Sequence, residues 1–423
     1  MNFFLFFLLF SASLLAGGKT TILTAEKIDE ILAKLPRGTK VSILAINPLT
    51  GDTIYQKNAS DILIPASNTK LYTTFTAIEK LGKDFRLKTS LFTPDKSIED
   101  GVIDGNLYIK GFGNPLLTSE DVLSMADELR AMGVMSINGD IIGDDSYFDK
   151  AYSREDWIED EANLAPLAPV SALVVDRNKK QIVKVRRKRK RISYINVADP
   201  SLNAADILYK SLKEKGIYVG GRPAKGNTPE GSYELAYRSV TLQEVISIVN
   251  KRSDNFLAEC LFKVVGAAES GTEGSGFHAA KAVKKFLDKN DIYDEGTEIV
   301  DGSGLSRFNL TSAAGLSSLL EWAYFHPDYF DNIYNSLSIA GVDGTLIGRM
   351  KSGSAMHNFR GKTGTLRGTS SVSGYLKTIS GDDLIVSIIF FYQAKGQNYW
   401  KSVEDRIIGL LASEFIEYEE EFN

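Results

Sequence analysis

The run Asp383–Tyr392, DLIVSIIFFY, is apolar almost without interruption. It is too short to cross a bilayer, and it is rich in β-branched and aromatic residues. Such a run reads as a strand buried on both faces. A sheet built around it must be covered by helices on both sides. The stretch before it, Gly368–Lys377, also has strand character, and Ser380-Gly-Asp-Asp383 supplies the turn between them. Near the other end of the chain, Lys40–Ile46 (KVSILAI) and Asp52–Gln56 read as a second strand pair, joined by Asn47-Pro-Leu-Thr-Gly51.

Helical spacing is clearest where Leu71, Phe75, Ile78 and Leu81 recur, predicting a helix over 67–81 that Gly82 ends. Further helices are expected at 25–35, 119–132, 206–215, 242–250, 255–267, 279–290, 313–323 and 401–414, and shorter strands at 86–92, 105–110 and 139–142. The chain of 423 residues is long enough for more than one domain.

Only three histidines (His278, His326, His357) and one cysteine (Cys260) are present. A zinc site built from His and Cys and an internal disulfide are therefore not expected, and no cofactor or metal is implied. The net charge of −5 gives no case for nucleic acid. Residues 1–17 begin MNFFLFFLLFSASLLA, an apolar run of signal-peptide length followed by small residues. Export to the periplasm or extracytoplasmic envelope is the expectation, although the usual positive start is missing; an uncleaved anchor or a buried strand is the other reading. The run KVRRKRKR at 184–191 carries seven basic side chains in eight positions. It reads either as a solvated, charged edge strand or loop, or as a patch for anionic polymer or peripheral membrane association.

In PASNTKLYTTFTA, Ser67 stands three residues before Lys70. On a helix the two side chains share a face. A serine hydroxyl is a poor nucleophile without a base, and a lysine can be that base only if its pKa is brought down by burial or a nearby cation. Taken alone, the pair reads more economically as a helix opened by an N-cap serine. Two more triplets follow in order. Ser253-Asp254-Asn255 opens a predicted helix, and Lys362-Thr363-Gly364 stands at the start of the first of the two late strands. Separately they are a helix cap and a strand entry.

Together, Ser-x-x-Lys, Ser-Asp-Asn and Lys-Thr-Gly resemble the penicillin-recognising serine enzymes. The segments PASNTK, GNPLLTSEDV, GDIIGDDSYFD, SALVVDRN, DGSGLSRFNLTS, GVDGTLIGRM and GKTGTLRGTSSVSGYL resemble more narrowly the D-alanyl-D-alanine carboxypeptidase/endopeptidases of class C penicillin-binding proteins, peptidase family S13. The resemblance covers nearly the whole chain after the signal.

It implies an α+β fold: an antiparallel five-stranded sheet flanked by helices, formed by residues 18–84 and 232–423, with a smaller inserted α+β domain at 85–231. A second insert known in larger members would be missing or vestigial here, because the segment between Asn178 and Asp206 is short.

The resemblance also implies roles. Ser67 would be the nucleophile, Lys70 its base, Ser253 a proton relay, Asn255 a ligand of substrate and of Lys70, and Lys362 a source of positive field. Thr363 and Thr365 would bind the substrate carboxylate, and Gly364 would let the strand edge approach the substrate. The N–H groups of Ser67 and Thr365 would form the oxyanion hole. Asp144, Phe148 and Arg307 would grip the free amino-acid end of a stem peptide, with Asp145 a rival for Asp144; the plainer readings are a turn residue for Asp144 and a structural ion pair for Arg307.

The implied substrates are peptidoglycan peptides with a D-Ala-D-X bond, and β-lactams are implied as covalent inhibitors. A β-lactamase-like hydrolase and a non-catalytic peptidoglycan-binding protein are the competing functions. The first lacks a clear Glu-containing deacylation signature, and the second sits poorly with three intact motifs.

Overall fold

The computed structural model describes residues 19–95, 98, 100–157, 167–186, 189–293 and 295–414. The expected signal segment 1–17 lies outside them. Among the described residues no helix is long and apolar enough to cross a membrane.

The apolar run forms the strand Asp383–Phe391, and it is buried along seven of its nine residues. It lies between Thr369–Lys377 and Lys40–Ile46 in a six-stranded sheet whose strand pairs are all antiparallel. The order is Ser338–Ile339, Phe359–Leu366, Thr369–Lys377, Asp383–Phe391, Lys40–Ile46, Thr53–Lys57. The two-residue edge strand makes six where five are expected. Such a strand is too short for any periodicity to reveal.

Alternation along the central strand separates two cores. Leu384, Val386, Ile388 and Phe390 pack on one side, with Ile28 and Ile31 of the helix Lys19–Ala33 and Trp400, Val403 and Ile407 of the helix Gln397–Ala412. Ile385 and Ile389 face the other way. They join Leu316, Leu319 and Leu320 of the helix Ala313–Tyr324, and the helices Thr69–Leu81, Leu242–Lys251, Asn255–Ser270 and Gly276–Lys289 complete that layer.

Residues between the first and second motifs build a different body. A five-stranded mixed sheet runs Pro223–Lys225, Ile141–Asp144, Leu107–Gly111, Arg86–Thr93, Tyr233–Thr241. The helices Ser119–Ala131 and Pro200–Glu214 cover it through Val122, Met125, Leu129, Ala204, Leu208 and Leu212. The strand Tyr233–Thr241, which follows the expected boundary at residue 231, belongs to this sheet. It pairs with Arg86–Thr93, ending at Thr241 opposite Arg86, so the segment leaves and rejoins the larger body at adjacent positions. Thr241 then caps the next helix in a reciprocal capping box with Glu244.

The basic run falls in a hairpin, Lys179–Arg186 with Arg189–Asn196. Arg187 and Lys188 lie outside the described residues; Lys190 and Arg191 are exposed. This hairpin and the start of the helix Pro200–Glu214 are what stands between Asn178 and Asp206.

Replacing Ile388, which is fully buried, by alanine should lower the unfolding free energy by about 2–5 kcal/mol. The same change at the exposed Ile379 should cost under about 0.5 kcal/mol. Denaturant unfolding of the two variants side by side checks both.

Candidate active site

Ser67 sits in a single turn of 3₁₀ helix, Ala66–Asn68, that leads directly into the helix Thr69–Leu81. Ala66 before it has φ of 49°, a left-handed conformation that costs a non-glycine residue energy and that clusters at functional sites. Ser67 is half-buried, and its Oγ lies 2.9 Å from Lys70 Nζ and 3.5 Å from the Ser303 carbonyl oxygen.

Lys70 has no solvent exposure. Its Nζ also donates to Asn255 Oδ1 at 2.7 Å and to the Ser303 carbonyl at 2.5 Å. Burial pushes the ammonium down to about 8, against the pull of the Asp301, Glu259 and Asp254 carboxylates.

Asn255 opens the helix Asn255–Ser270, which Asp254 caps through the N–H of Leu257. Asp254 also pairs with Arg177 at 2.8 Å, tying the 85–241 segment to the second motif. Ser253 has φ of 54°, again left-handed, and its Oγ accepts from Lys362 Nζ at 2.9 Å. Lys362 is fully buried. Desolvation, and then the charge of Lys70, hold its pKa well below the ordinary lysine value. Two lysines in one dry site therefore disfavour each other's protonation.

Lys362 stands inside the strand Phe359–Leu366, a strand of its own that hairpins into Thr369–Lys377. The sequence reading ran the two together, because Arg367-Gly368 is a turn so tight that no loop composition marks it. The short edge strand covers only Arg360 and Gly361, so from Lys362 onward the outer edge has no strand partner among the described residues. Thr365 is half-buried on that edge. Thr363 is buried, with its hydroxyl on Thr345 Oγ1 at 2.8 Å.

Gly364 also stands against the turn that carries Ser67. A Cβ there would stand 2.6 Å from the Pro65 carbonyl and 3.1 Å from Ser67 N. The missing side chain lets the strand meet the nucleophile's own turn, bringing the Ser67 N–H to the strand edge.

The expected specificity residues separate. Phe148 is 1 % exposed and belongs to the larger core, beside Tyr147 and under Lys263 Nζ at 5.8 Å. Asp144 is fully buried, and its carboxylate accepts from the N–H groups of Ser146 and Thr228 and pairs with Lys110 at 3.2 Å. Asp145 is equally engaged, by Lys150, Tyr152 and Ser171. As the protein stands, the Asp144 carboxylate and the Phe148 ring are held by partners within the protein. Arg307 is half-exposed and donates to the Arg367 carbonyl at 2.7 Å, just past the Lys-Thr-Gly strand.

The sequence reading gave no role to the loop Asp301–Ser306, DGSGLS, although it supplies Lys70's third partner. Nor did it give one to Glu259, whose Oε1 accepts from Ser303 N at 2.7 Å. The signal available was position: Glu259 follows Asn255 by four residues, on the same helix face.

A serine on a strained turn, a buried lysine with a lowered pKa beside it, a second serine–lysine contact and an open strand edge define a serine enzyme of the penicillin-recognising fold, built for acyl transfer. The profile of the D-Ala-D-Ala carboxypeptidase 3 (S13) family matches residues 24–191 and 185–413, and the chain belongs to that family.

Two relatives are similar along most of their length. A D-alanyl-D-alanine carboxypeptidase, DacB, of Haemophilus influenzae is 26% identical, over 84% of this chain and 86% of its own. A D-alanyl-D-alanine carboxypeptidase of an Actinomadura species is 27% identical, over 88% and 82%. The fold is that of penicillin binding protein 4 from Haemophilus influenzae, with a TM-score of 0.81 at 24% identity over 91% of this chain and 99% of that one.

The neutral amine of Lys70 is the form that can take a proton. Acylation of Ser67 should therefore rise with pH through about 8 and level off above it. Stopped-flow acylation by a β-lactam whose own charge is constant over the window checks this, and a flat or falling profile would place the base elsewhere. A Phe148→Ala variant should lose about 3–5 kcal/mol of stability, as a core deletion. Its KM for a short peptide should stay near the wild-type value, and a large KM effect at unchanged stability would restore the ligand-contact reading.

Proposed function

We propose that the chain is a serine-type carboxypeptidase and endopeptidase of peptidoglycan stem peptides, penicillin-sensitive, working outside the cytoplasm. Family membership supports the substrate class, and the observation that carries the chemistry is the buried Lys70 held between Ser67 and Asn255. A related structure is of penicillin binding protein 4 in complex with a β-lactam. In the proposed reaction the substrate lies along the open edge of the Lys362–Thr365 strand as an added strand. Thr363 and Thr365 are the proposed partners of its terminal carboxylate, with Arg307 beyond them.

Ser67 Oγ attacks the carbonyl carbon of the penultimate D-Ala while its proton passes to Lys70. The N–H groups of Ser67 and Thr365 take the developing oxyanion, an interaction worth about 3–4 kcal/mol for one donor in serine hydrolases. Collapse breaks the C–N bond, and Ser253, held by Lys362, relays the proton to the departing amine. Water then reverses the sequence to free the acid and Ser67. Departure of a single D-Ala is carboxypeptidase action; departure of a cross-linked side chain is endopeptidase action. The segment 85–241 is the proposed inserted domain, and peripheral attachment to the envelope through the basic hairpin is compatible with its exposed Lys190 and Arg191.

Labelled penicillin followed by peptide mapping tests the reading. The adduct should fall on Ser67 and disappear in Ser67→Ala, while Lys70→Ala should slow acylation by roughly 100-fold or more. An adduct elsewhere, or D-Ala release by Ser67→Ala, would overturn the mechanism.

A further inference from the structure

Lys70 has three polar contacts, and only two come from the recognised motifs. The third, the Ser303 carbonyl, belongs to a loop whose backbone is fixed on every side. Asp301, fully buried, accepts from the N–H groups of Gly304 and Ser306 at 2.7 Å each, from Asn309 Nδ2 at 2.8 Å and from Trp157 Nε1 at 3.1 Å. The Gly302 carbonyl accepts from Thr73 Oγ1 at 2.8 Å. A Cβ on Gly302 would stand 2.7 Å from the Ala258 carbonyl, and one on Gly304 would stand 2.0 Å from the Ala66 carbonyl. The loop is therefore clamped between the helix that carries Asn255 and the turn that carries Ser67.

Glu259 closes the arrangement. It is 4 % exposed, and its Oε1 accepts the Ser303 N–H at 2.7 Å. One helix thus contacts the base twice: through Asn255 directly, and one turn later through Glu259 and the two polar ends of Ser303.

The geometry has a chemical consequence. A neutral lysine amine has two N–H bonds and one lone pair. Asn255 Oδ1 and the Ser303 carbonyl are pure acceptors and take both N–H bonds. The lone pair is left pointing at the remaining neighbour, the hydroxyl of Ser67. Without the Ser303 carbonyl in place, the amine could turn about its Cε–Nζ bond and the lone pair would lose its aim. We propose that Glu259 is a positioning residue for the general base, holding the Ser303 carbonyl that orients Lys70 toward Ser67. This rests on the acyl-transfer reading above.

Charge adds a second handle. The charged and titratable groups around Lys70 are Lys362, Asp254 with its Arg177 partner, Glu259 and Asp301. Arg154, bonded to Asp156 and to the Val300 carbonyl, faces that carboxyl pair. Burial and the neighbouring Asp301 push the Glu259 carboxyl above the usual carboxylate range. Its negative charge favours the Lys70 ammonium. An amide at position 259 keeps an acceptor for the Ser303 N–H but removes that charge, so the Lys70 midpoint must move to lower pH.

The test is the pH profile of Ser67 acylation by a fluorescent penicillin in the full chain. Wild type, Glu259→Gln and Glu259→Ala are compared, with folding checked by thermal melting. Glu259→Gln should keep the plateau rate within about threefold and shift the midpoint acid by roughly half a pH unit or more. Glu259→Ala should lower the plateau roughly 10- to 100-fold, the scale of a misplaced catalytic group.

A purely structural glutamate would lower the melting temperature or the active fraction and leave the midpoint alone. An unmoved midpoint in Glu259→Gln, or a Glu259→Ala plateau within about twofold of wild type, overturns the proposal. If Glu259→Ala does not fold, the Glu259→Gln midpoint decides alone. Failure of wild type to form an adduct on Ser67 would sink the enzyme reading itself, whereas normal wild-type acylation with an unmoved Glu259→Gln profile would sink only this inference.

Discussion

A lysine with no solvent exposure lies at the centre of this molecule. Burying an ammonium group is expensive unless it is paired or gives up its proton. Around Lys70 the protein does part of each. Acceptors from three segments surround Nζ, yet they are neutral: a hydroxyl, an amide and a carbonyl. Formal carboxylates are kept one shell away, where they temper the desolvation without converting Lys70 into a permanent cation. A direct ion pair would have favoured the ammonium and left no lone pair beside Ser67.

That choice dictates much of the architecture. Neutral acceptors must come close, so the segments bearing them must converge on a space with no room for spare side chains. Gly364 meets the Ser67 turn, Gly304 meets the carbonyl of Ala66, and Ala66 and Ser253 take left-handed conformations. The two left-handed non-glycine residues are locally unfavourable, at about 1–3 kcal/mol each. The two cores on either side of the Asp383–Phe391 strand hold them in place. Strain at the site and saturation of the sheet are two sides of one balance.

The balance also explains what could be read from the sequence. The central strand, the helix after Ser67 and the three motifs were legible because periodicity and motif order are local properties of the chain. The strand bearing Lys362 was blurred into its partner because a two-residue turn leaves almost no compositional trace. The strand Tyr233–Thr241 pairs with one far earlier in the chain, a contact no local pattern records. Asp144 and Phe148 are ambiguous for a related reason. An aspartate in a turn and an aromatic four residues on look the same whether they face a ligand or, as here, Lys110 and the core. Glu259 and Ser303 were invisible because their role passes through a backbone carbonyl, which every residue has.

The same layering bears on where the proton goes in the proposed cycle. Once Lys70 has taken the Ser67 proton, it is an ammonium that Asp301 and Glu259 favour and burial disfavours. Its charge in turn holds down the pKa of Lys362. Lys362 Nζ is already bonded to Ser253 Oγ, so the hydroxyl nearest the opposing charge is the one proposed to deliver the proton. A base flanked only by carboxylates would accept the proton and keep it. One flanked only by cations would never accept it. In the proposed cycle burial disfavours the Lys70 ammonium while Asp301 and Glu259 favour it, a balance that would let one lysine take the Ser67 proton and give it up again.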